Sequence, residues 1–284
     1  MRRSEVPYKR QAIAKLSPLY TRLSNPNLFD QLERFCLFIG HGRSGSSLMG
    51  GLLNAHPNIV MSNELNVLQY MKENISRNEL FNLIYYIARR QAKSGSQGGG
   101  GYSYAVPNQW QGRHREILVL GDRKAGATAI QISRNTKLFS ELKEWIGLPI
   151  NFVHIVRNPF DTLATTVRKT IRNPGESEES HLRRQIERYF QRASAVKTVM
   201  ELNGEDNVHI VYHEDLMVNS SAVLIELCRF LGVETSEQYV RDCTSILRKK
   251  PNVTRDQIEW TPALIDSVSA KIDELPWLKR YSYS

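Results

Sequence analysis

Short apolar runs recur along this chain, and stretches of helical spacing separate them. The runs cover residues 35–39, 59–61, 117–120, 152–156 and 208–212. They are continuous rather than alternating, which is the pattern of strands buried on both faces. Helical periodicity predicts elements over 48–53, 162–171, 179–202, 221–231 and 262–272, with Gly232 closing the fourth. Strands that alternate with helices build βαβ units. The expected fold is a three-layer α/β/α sandwich with a central parallel sheet of about five strands. Ligands of such sheets bind at the carboxyl ends of the strands.

The first of these junctions carries the chemistry. In FCLFIGHGRSGSSL, residues 35–48, the apolar run gives way to Gly40, Gly42 and Gly45, then Ser46 and Ser47, then a helical pattern. Strand, glycine loop and helix N-terminus make a P-loop-like layout. Backbone N–H groups of the loop point inward, and those of the first helical turn lack intrahelical partners, so together they cradle an anion, usually phosphate. The nucleoside-triphosphate version reads GxxxxGK[ST]. Here Gly40 and Gly45 keep that spacing, but Ser46 stands at the lysine position and the cation is Arg43, inside the loop. Such a loop suits a ligand with fewer phosphates.

At these residues the chain resembles the sulfotransferase superfamily that uses PAPS (3′-phosphoadenosine 5′-phosphosulfate), in particular bacterial members related to tyrosylprotein sulfotransferases. Gly42, Arg43, Ser44, Gly45, Ser46 and Ser47 are similar to the family's 5′-phosphosulfate loop. Its second motif is an arginine after a buried strand with a hydroxyl residue eight positions later, gripping the 3′-phosphate. NFVHIVRNPFDTLATT supplies Arg157 and Thr165, where the family usually has serine. HPNIVMSNE, residues 56–64, resembles the segment whose glutamate, here Glu64, is the general base. LVLGDRKAG, residues 118–126, resembles the strand whose end carries a family lysine; Arg123 stands there, with Lys124 beside it. VYHEDL (211–216) and KKPNVTRDQIEWTP (249–262) resemble later stretches of bacterial members. Tyr212 could pack near the adenine or belong to the core. Lys250 and Arg255, with Arg248 and Lys249, could close over the 3′-phosphate or form a solvated basic turn. Across residues 35–275 the resemblance implies sulfuryl transfer from PAPS to an acceptor hydroxyl or amine, with PAP as product and no metal.

That chemistry needs a proton acceptor and stabilisation of charge on the transferred group and the bridging oxygen. Arg43, Ser46 and Ser47 suit the second task. Glu64 suits the first, though in SNELN it could equally begin a helix and favour its dipole. His41, beside Arg43, is the rival base. His56 and His154 sit among apolar neighbours, as packed histidines do. GDRKAG has no histidine of the kind that follows the lysine in cytosolic small-molecule enzymes. Two other classes stay open: a P-loop kinase or NTPase, with Asp122 of ILVLGD as its Mg2+ acid, and a non-catalytic nucleotide-binding protein. The acceptor could be a small molecule, carbohydrate, lipid or peptide.

Composition narrows the rest. The 284 residues, 41% hydrophobic and 24% charged, suit one α/β domain at 35–275, flanked by a basic, helical N-terminal extension (1–34) and a C-terminal tail (276–284). Residues 92–114, rich in glycine and serine, read either as a surface loop or as an acceptor lid bearing Tyr102, Tyr104 and Trp110. Cys36, Cys228 and Cys243 lack metal-ligand spacing and fit buried thiols in a reducing compartment. No stretch reaches the ~18 apolar residues of a membrane span, and the N-terminus lacks the apolar region of a secretory signal. The expectation is a cytoplasmic protein. Net charge is +9, but the cations are dispersed, which suits an anionic nucleotide and argues against nucleic acid.

Overall fold

The computed structural model describes residues 27–73, 75–93 and 103–284. Residues 1–26 of the expected N-terminal extension, and residues 94–102 of the glycine-rich segment with Tyr102, lie outside the described residues. Five strands form one parallel sheet: β1 (Arg34–Gly40), β2 (Ile59–Asn63), β3 (Val119–Arg123), β4 (Ile150–Val156) and β5 (Val208–Tyr212), in the order β2-β3-β1-β4-β5. The central strand β1 pairs with β3 through Phe35↔Leu120 and with β4 through Phe35↔Ile150.

Its side chains divide the core in two, because successive residues point to opposite faces. Phe35, Leu37 and Ile39 pack into one buried cluster, Cys36 and Phe38 into the other. The first face is covered by α2 (Val67–Lys72), α3 (Arg77–Lys93), α4 (Ala125–Arg134), α5 (Lys137–Ile146), α6 (Pro159–Lys169), α7 (Glu178–Asn203) and, near the C-terminus, α11 (Pro262–Asp273). The second is covered by α1 (Ser46–Asn54), α8 (His213–Val218), α9 (Ser220–Phe230) and α10 (Glu237–Ser245). This is the expected three-layer arrangement.

Two departures from the sequence pattern bear on the site. The third strand is displaced toward its carboxyl end, running to Arg123 rather than stopping at Leu120. Gly121 allows this, since a Cβ there would lie 2.1 Å from the Cys36 carbonyl oxygen. The added turn of strand is polar because it reaches the ligand edge, so hydropathy misses it. Helix α4 was also absent from the periodicity. Ala125, Gly126, Thr128 and Ser133 give it a weak local signal, and packing against α7 overrides propensity.

The remaining ends are ordered against the body. Trp110 donates its N–H to the Ala55 carbonyl, and Gln109 Nε2 bonds Asp242 at 2.8 Å. Ala55 follows the C-terminus of α1, so Trp110 sits at the sheet edge where β2 begins, opposite the edge at which α1 starts. Residues 276–284 lie against β4 and α6: Tyr283 packs edge-on to Phe160 at 5.2 Å, and Trp277 packs edge-on to His154 at 6.0 Å.

Candidate active site

The loop between β1 and α1 closes on itself at the carboxyl edge of the sheet. Gly40 and Gly45 have φ of +106° and +103°, and Arg43 has φ +67°. A left-handed arginine is uncommon, and strain of this kind collects at functional sites. Both glycines are demanded by their neighbours as well. A Cβ on Gly40 would lie 2.4 Å from His154 Nδ1, and one on Gly45 2.7 Å from His213 Nδ1. The buried Ser44 hydroxyl donates to the His41 carbonyl at 2.8 Å and pins the turn. Gly42 and Arg43 are exposed, while Ser46 is buried and Ser47 half-buried. Ser46 and Ser47 open α1, where N–H groups lack helical partners. The backbone thus presents donors to one point with a cation on its rim.

His41 turns away from that point. Its ring stacks on Tyr189 at 3.8 Å between centroids, and its Nε2 bonds the Tyr189 carbonyl at 2.8 Å. Burial pulls its pKa down to about 3. A neutral imidazole locked in the core is a poor candidate for taking an acceptor's proton.

Arg157, one residue beyond β4, stands 8% exposed beside the loop. Its Nη1 donates to the Arg43 carbonyl at 3.1 Å and to Thr165 Oγ1 at 3.4 Å. Its Nη2 donates to the Asn252 carbonyl at 2.6 Å and to Thr254 Oγ1 at 3.1 Å. Burial lowers the guanidinium pKa, and the nearby Asp161 and Glu214 carboxylates oppose that. Helix α6 starts immediately afterwards, because Asn158 accepts from the Phe160 N–H and Pro159 fits the first helical position. Eight residues after Arg157, two helical turns on, Thr165 therefore lies beside it.

Glu64 follows β2 with φ +63° and sits between two cations. Arg123 Nη1 lies 2.8 Å from its Oε1, and Lys124 Nζ bonds its Oε2. Arg123 is nearly buried under Gly50 of α1, whereas Lys124 is one-third exposed. The turn that carries Glu64 hangs on Asp122. This fully buried carboxylate accepts from the Ser62 hydroxyl at 2.8 Å, the Leu65 N–H at 3.0 Å and the Asn66 N–H at 2.8 Å. Fully buried and committed to that turn, it is ill placed to serve as the acid that a Mg2+-nucleotide reading would use. A cleft lined by Ser47, Gly50, Asn63, Gln91 and Arg123 joins this region to the start of α1.

Residues 150–237, spanning β4 to the first turn of α10 and including Arg157 and Thr165, match the sequence model of the Sulfotransferase family. The sequence likeness to that family is carried by this segment. Its fold is similar to that of sulfotransferase STF9 from Mycobacterium avium (10% identity, 97% of this chain and 86% of that one, TM-score 0.52). It is also similar to the sulfotransferase domain of the curacin biosynthetic pathway (16% identity, 87% and 100%, TM-score 0.52). A third similar structure is mouse sulfotransferase SULT7A1 complexed with PAP (13% identity, 95% and 96%, TM-score 0.50). Among curated proteins, none matches the chain at the sequence level.

The sulfotransferase fold brings Gly42–Ser47, Arg157 and Thr165 together on one side of the loop, and Glu64, Arg123 and Lys124 on the other. Tyr212 is half-buried under the Arg280 guanidinium, 4.3 Å from its ring centroid, and packs edge-on to Tyr281. Lys250 is exposed, as are Arg248 and Lys249. Arg255 is held away from solvent by Asp161 at 3.2 Å and by the carbonyls of Ser282 and Tyr283 at 3.0 and 2.7 Å. Asp161, Thr254 and His213 were not legible as site residues, since each acts through partners remote in sequence. Among the described residues no group of three or more His, Cys, Asp or Glu could hold a metal ion, and no helix is long and apolar enough to cross a membrane.

Proposed function

We propose that the protein transfers the sulfuryl group of PAPS to an acceptor hydroxyl or amine and releases PAP. The observation that carries this reading is the lysine-free cradle whose Arg43 carbonyl accepts directly from Arg157 at 3.1 Å. Two anion sites are thereby fixed to each other, one at a helix N-terminus and one at an arginine–threonine pair. A nucleotide phosphorylated at both 5′ and 3′ positions has that charge pattern. The mouse relative bound to PAP supports the same choice.

Gly42, Ser44 to Ser47 and the first N–H groups of α1 would hold the 5′-phosphosulfate, and Arg157 with Thr165 the 3′-phosphate. When bound, PAPS supplies an activated sulfuryl group whose leaving group is a phosphate. The exposed Arg43 stands at the mouth of the cradle, where its charge would stabilise negative charge on the bridging oxygen. Glu64 accepts the proton of the acceptor, with Arg123 fixing one carboxylate oxygen and leaving the second to exchange Lys124 for the acceptor. Lys124, once displaced, is free to face the transferred oxygens. A glutamate base allies the enzyme with the tyrosylprotein type. Tyr212 is our candidate neighbour of the adenine, and Lys250 and Arg255 of the 3′-phosphate. The free, buried thiols Cys36, Cys228 and Cys243 suit work in the reducing cytoplasm.

The acceptor itself is open to test. Incubation with labelled PAPS and fractionated pools of peptides, carbohydrates, lipids and small metabolites should label one class. Labelling that requires Mg2+ and ATP instead would overturn the assignment.

A further inference from the structure

Arg157 is held by a brace that runs to a segment almost a hundred residues away. Thr254 is 4% exposed, and its hydroxyl donates to the Asp161 carbonyl at 2.9 Å. A hydroxyl has one proton, so toward every other partner Thr254 Oγ1 must accept. It accepts from Arg157 Nη2 at 3.1 Å, and the 3.0 Å contact with Thr165 is then donated by Thr165. The hydrogen bonds therefore have one polarity, from Arg157 and Thr165 into Thr254 and on to Asp161. Asp161 fixes the same segment a second time. Its Oδ1 accepts from the Thr254 N–H at 2.7 Å and the Arg255 N–H at 2.8 Å, and its Oδ2 lies 3.2 Å from Arg255 Nη2. Arg255 in turn ties the brace to the C-terminal carbonyls of Ser282 and Tyr283.

We propose that Thr254, anchored by Asp161, is a positioning residue that sets selectivity for the nucleotide's 3′-phosphate by orienting Arg157 and Thr165; this rests on the reading of those two as the 3′-phosphate contacts. Thr254 is not itself a phosphate donor, because its proton is committed to the Asp161 carbonyl; Thr165, whose proton goes to Thr254, would turn it to the phosphate on binding. The role of Thr254 is to hold the Arg157 guanidinium in one orientation through the bond from Nη2. A pre-oriented cation binds more tightly than a free one because ordering has been completed in advance.

The test compares PAP with 5′-AMP, which lacks the 3′-phosphate, by calorimetry on wild type, Thr254→Val and Thr254→Ser. Valine keeps the shape and removes the acceptor, while serine restores it. A hydrogen bond to a charged group is worth enough to shift affinity about tenfold. Thr254→Val should weaken PAP binding about tenfold and leave 5′-AMP unchanged, so that the selectivity ratio falls; Thr254→Ser should return it to the wild-type value. A purely structural role would weaken both nucleotides equally, and that result overturns the proposal. So does a ratio that Thr254→Val leaves intact. A wild type with no preference for PAP over 5′-AMP overturns the 3′-phosphate reading of Arg157, and the brace with it.

Discussion

Replacing Glu64 with glutamine separates proton transfer from nucleotide binding. The carboxylate meets Arg123 at 2.8 Å through Oε1 and Lys124 through Oε2. Glutamine retains one oxygen acceptor and turns an N–H2 group toward the other cation, so one of the two pairings is lost. The Glu64 side chain is 43% exposed, and at that exposure an ion pair contributes only ~1 kcal/mol or less to stability. Folding should therefore survive. Catalysis should not, because an amide cannot take the acceptor's proton. Loss of a general base lowers rate by about 10²–10⁴, or roughly 3–5 kcal/mol in the barrier. Single-turnover transfer from labelled PAPS to whichever acceptor pool is active gives the rate, and calorimetry with PAP gives the affinity. The expected result is a rate lower by at least about a hundredfold with PAP affinity within about twofold of wild type. Turnover within about tenfold of wild type would refute the base assignment, and parallel loss of PAP affinity would refute the separation of the two sides of the site.

Three further outcomes follow from named contacts. Arg157→Ala should weaken PAP binding about ten- to a hundredfold, since a charge-assisted contact is worth roughly 1.5–3 kcal/mol; unchanged affinity in a titration would move the 3′-phosphate elsewhere. Asp122→Asn should lower unfolding free energy by about 1–3 kcal/mol in urea, because its amide would oppose an N–H that Asp122 now accepts; an unchanged midpoint would show that the Glu64 turn does not depend on it. Acidification should destabilise the fold through His41 and His154, whose pKa values burial pulls from 6.5 to about 3 and about 4. Both are depressed in the folded state, so the unfolded chain binds protons first. Stability is full above about pH 6.5 and is lost as pH falls toward 4, by about 2 kcal/mol per histidine between pH 6.5 and 5. Urea midpoints that do not change between pH 7 and 5 would contradict this.

The parallel sheet was legible because strands buried on both faces are continuous apolar runs, and β5 coincides with residues 208–212. The cradle was legible because its glycines, serines and arginine are neighbours in sequence. Arg157 and Thr165 are also local, eight positions apart along one strand–helix junction. What hydropathy missed is where the strands leave the core: Gly121, Asp122 and Arg123 extend β3 with polar residues that serve the site rather than the sheet. The brace was hidden for a different reason. Asp161 reads as an ordinary acidic residue in the first turn of α6, and only the folded chain brings Thr254 to it across 93 positions. His41 shows the converse limit, since its position beside Arg43 made it a candidate base and its burial against Tyr189 withdraws it.

Calorimetry with PAP in the presence of EDTA, set beside ATP with Mg2+, tests the central claim most directly. A cradle without the triphosphate lysine, joined to Arg157, should bind PAP tightly with no divalent cation and bind ATP with Mg2+ weakly. Mg2+-dependent ATP binding with no measurable PAP binding would contradict the account.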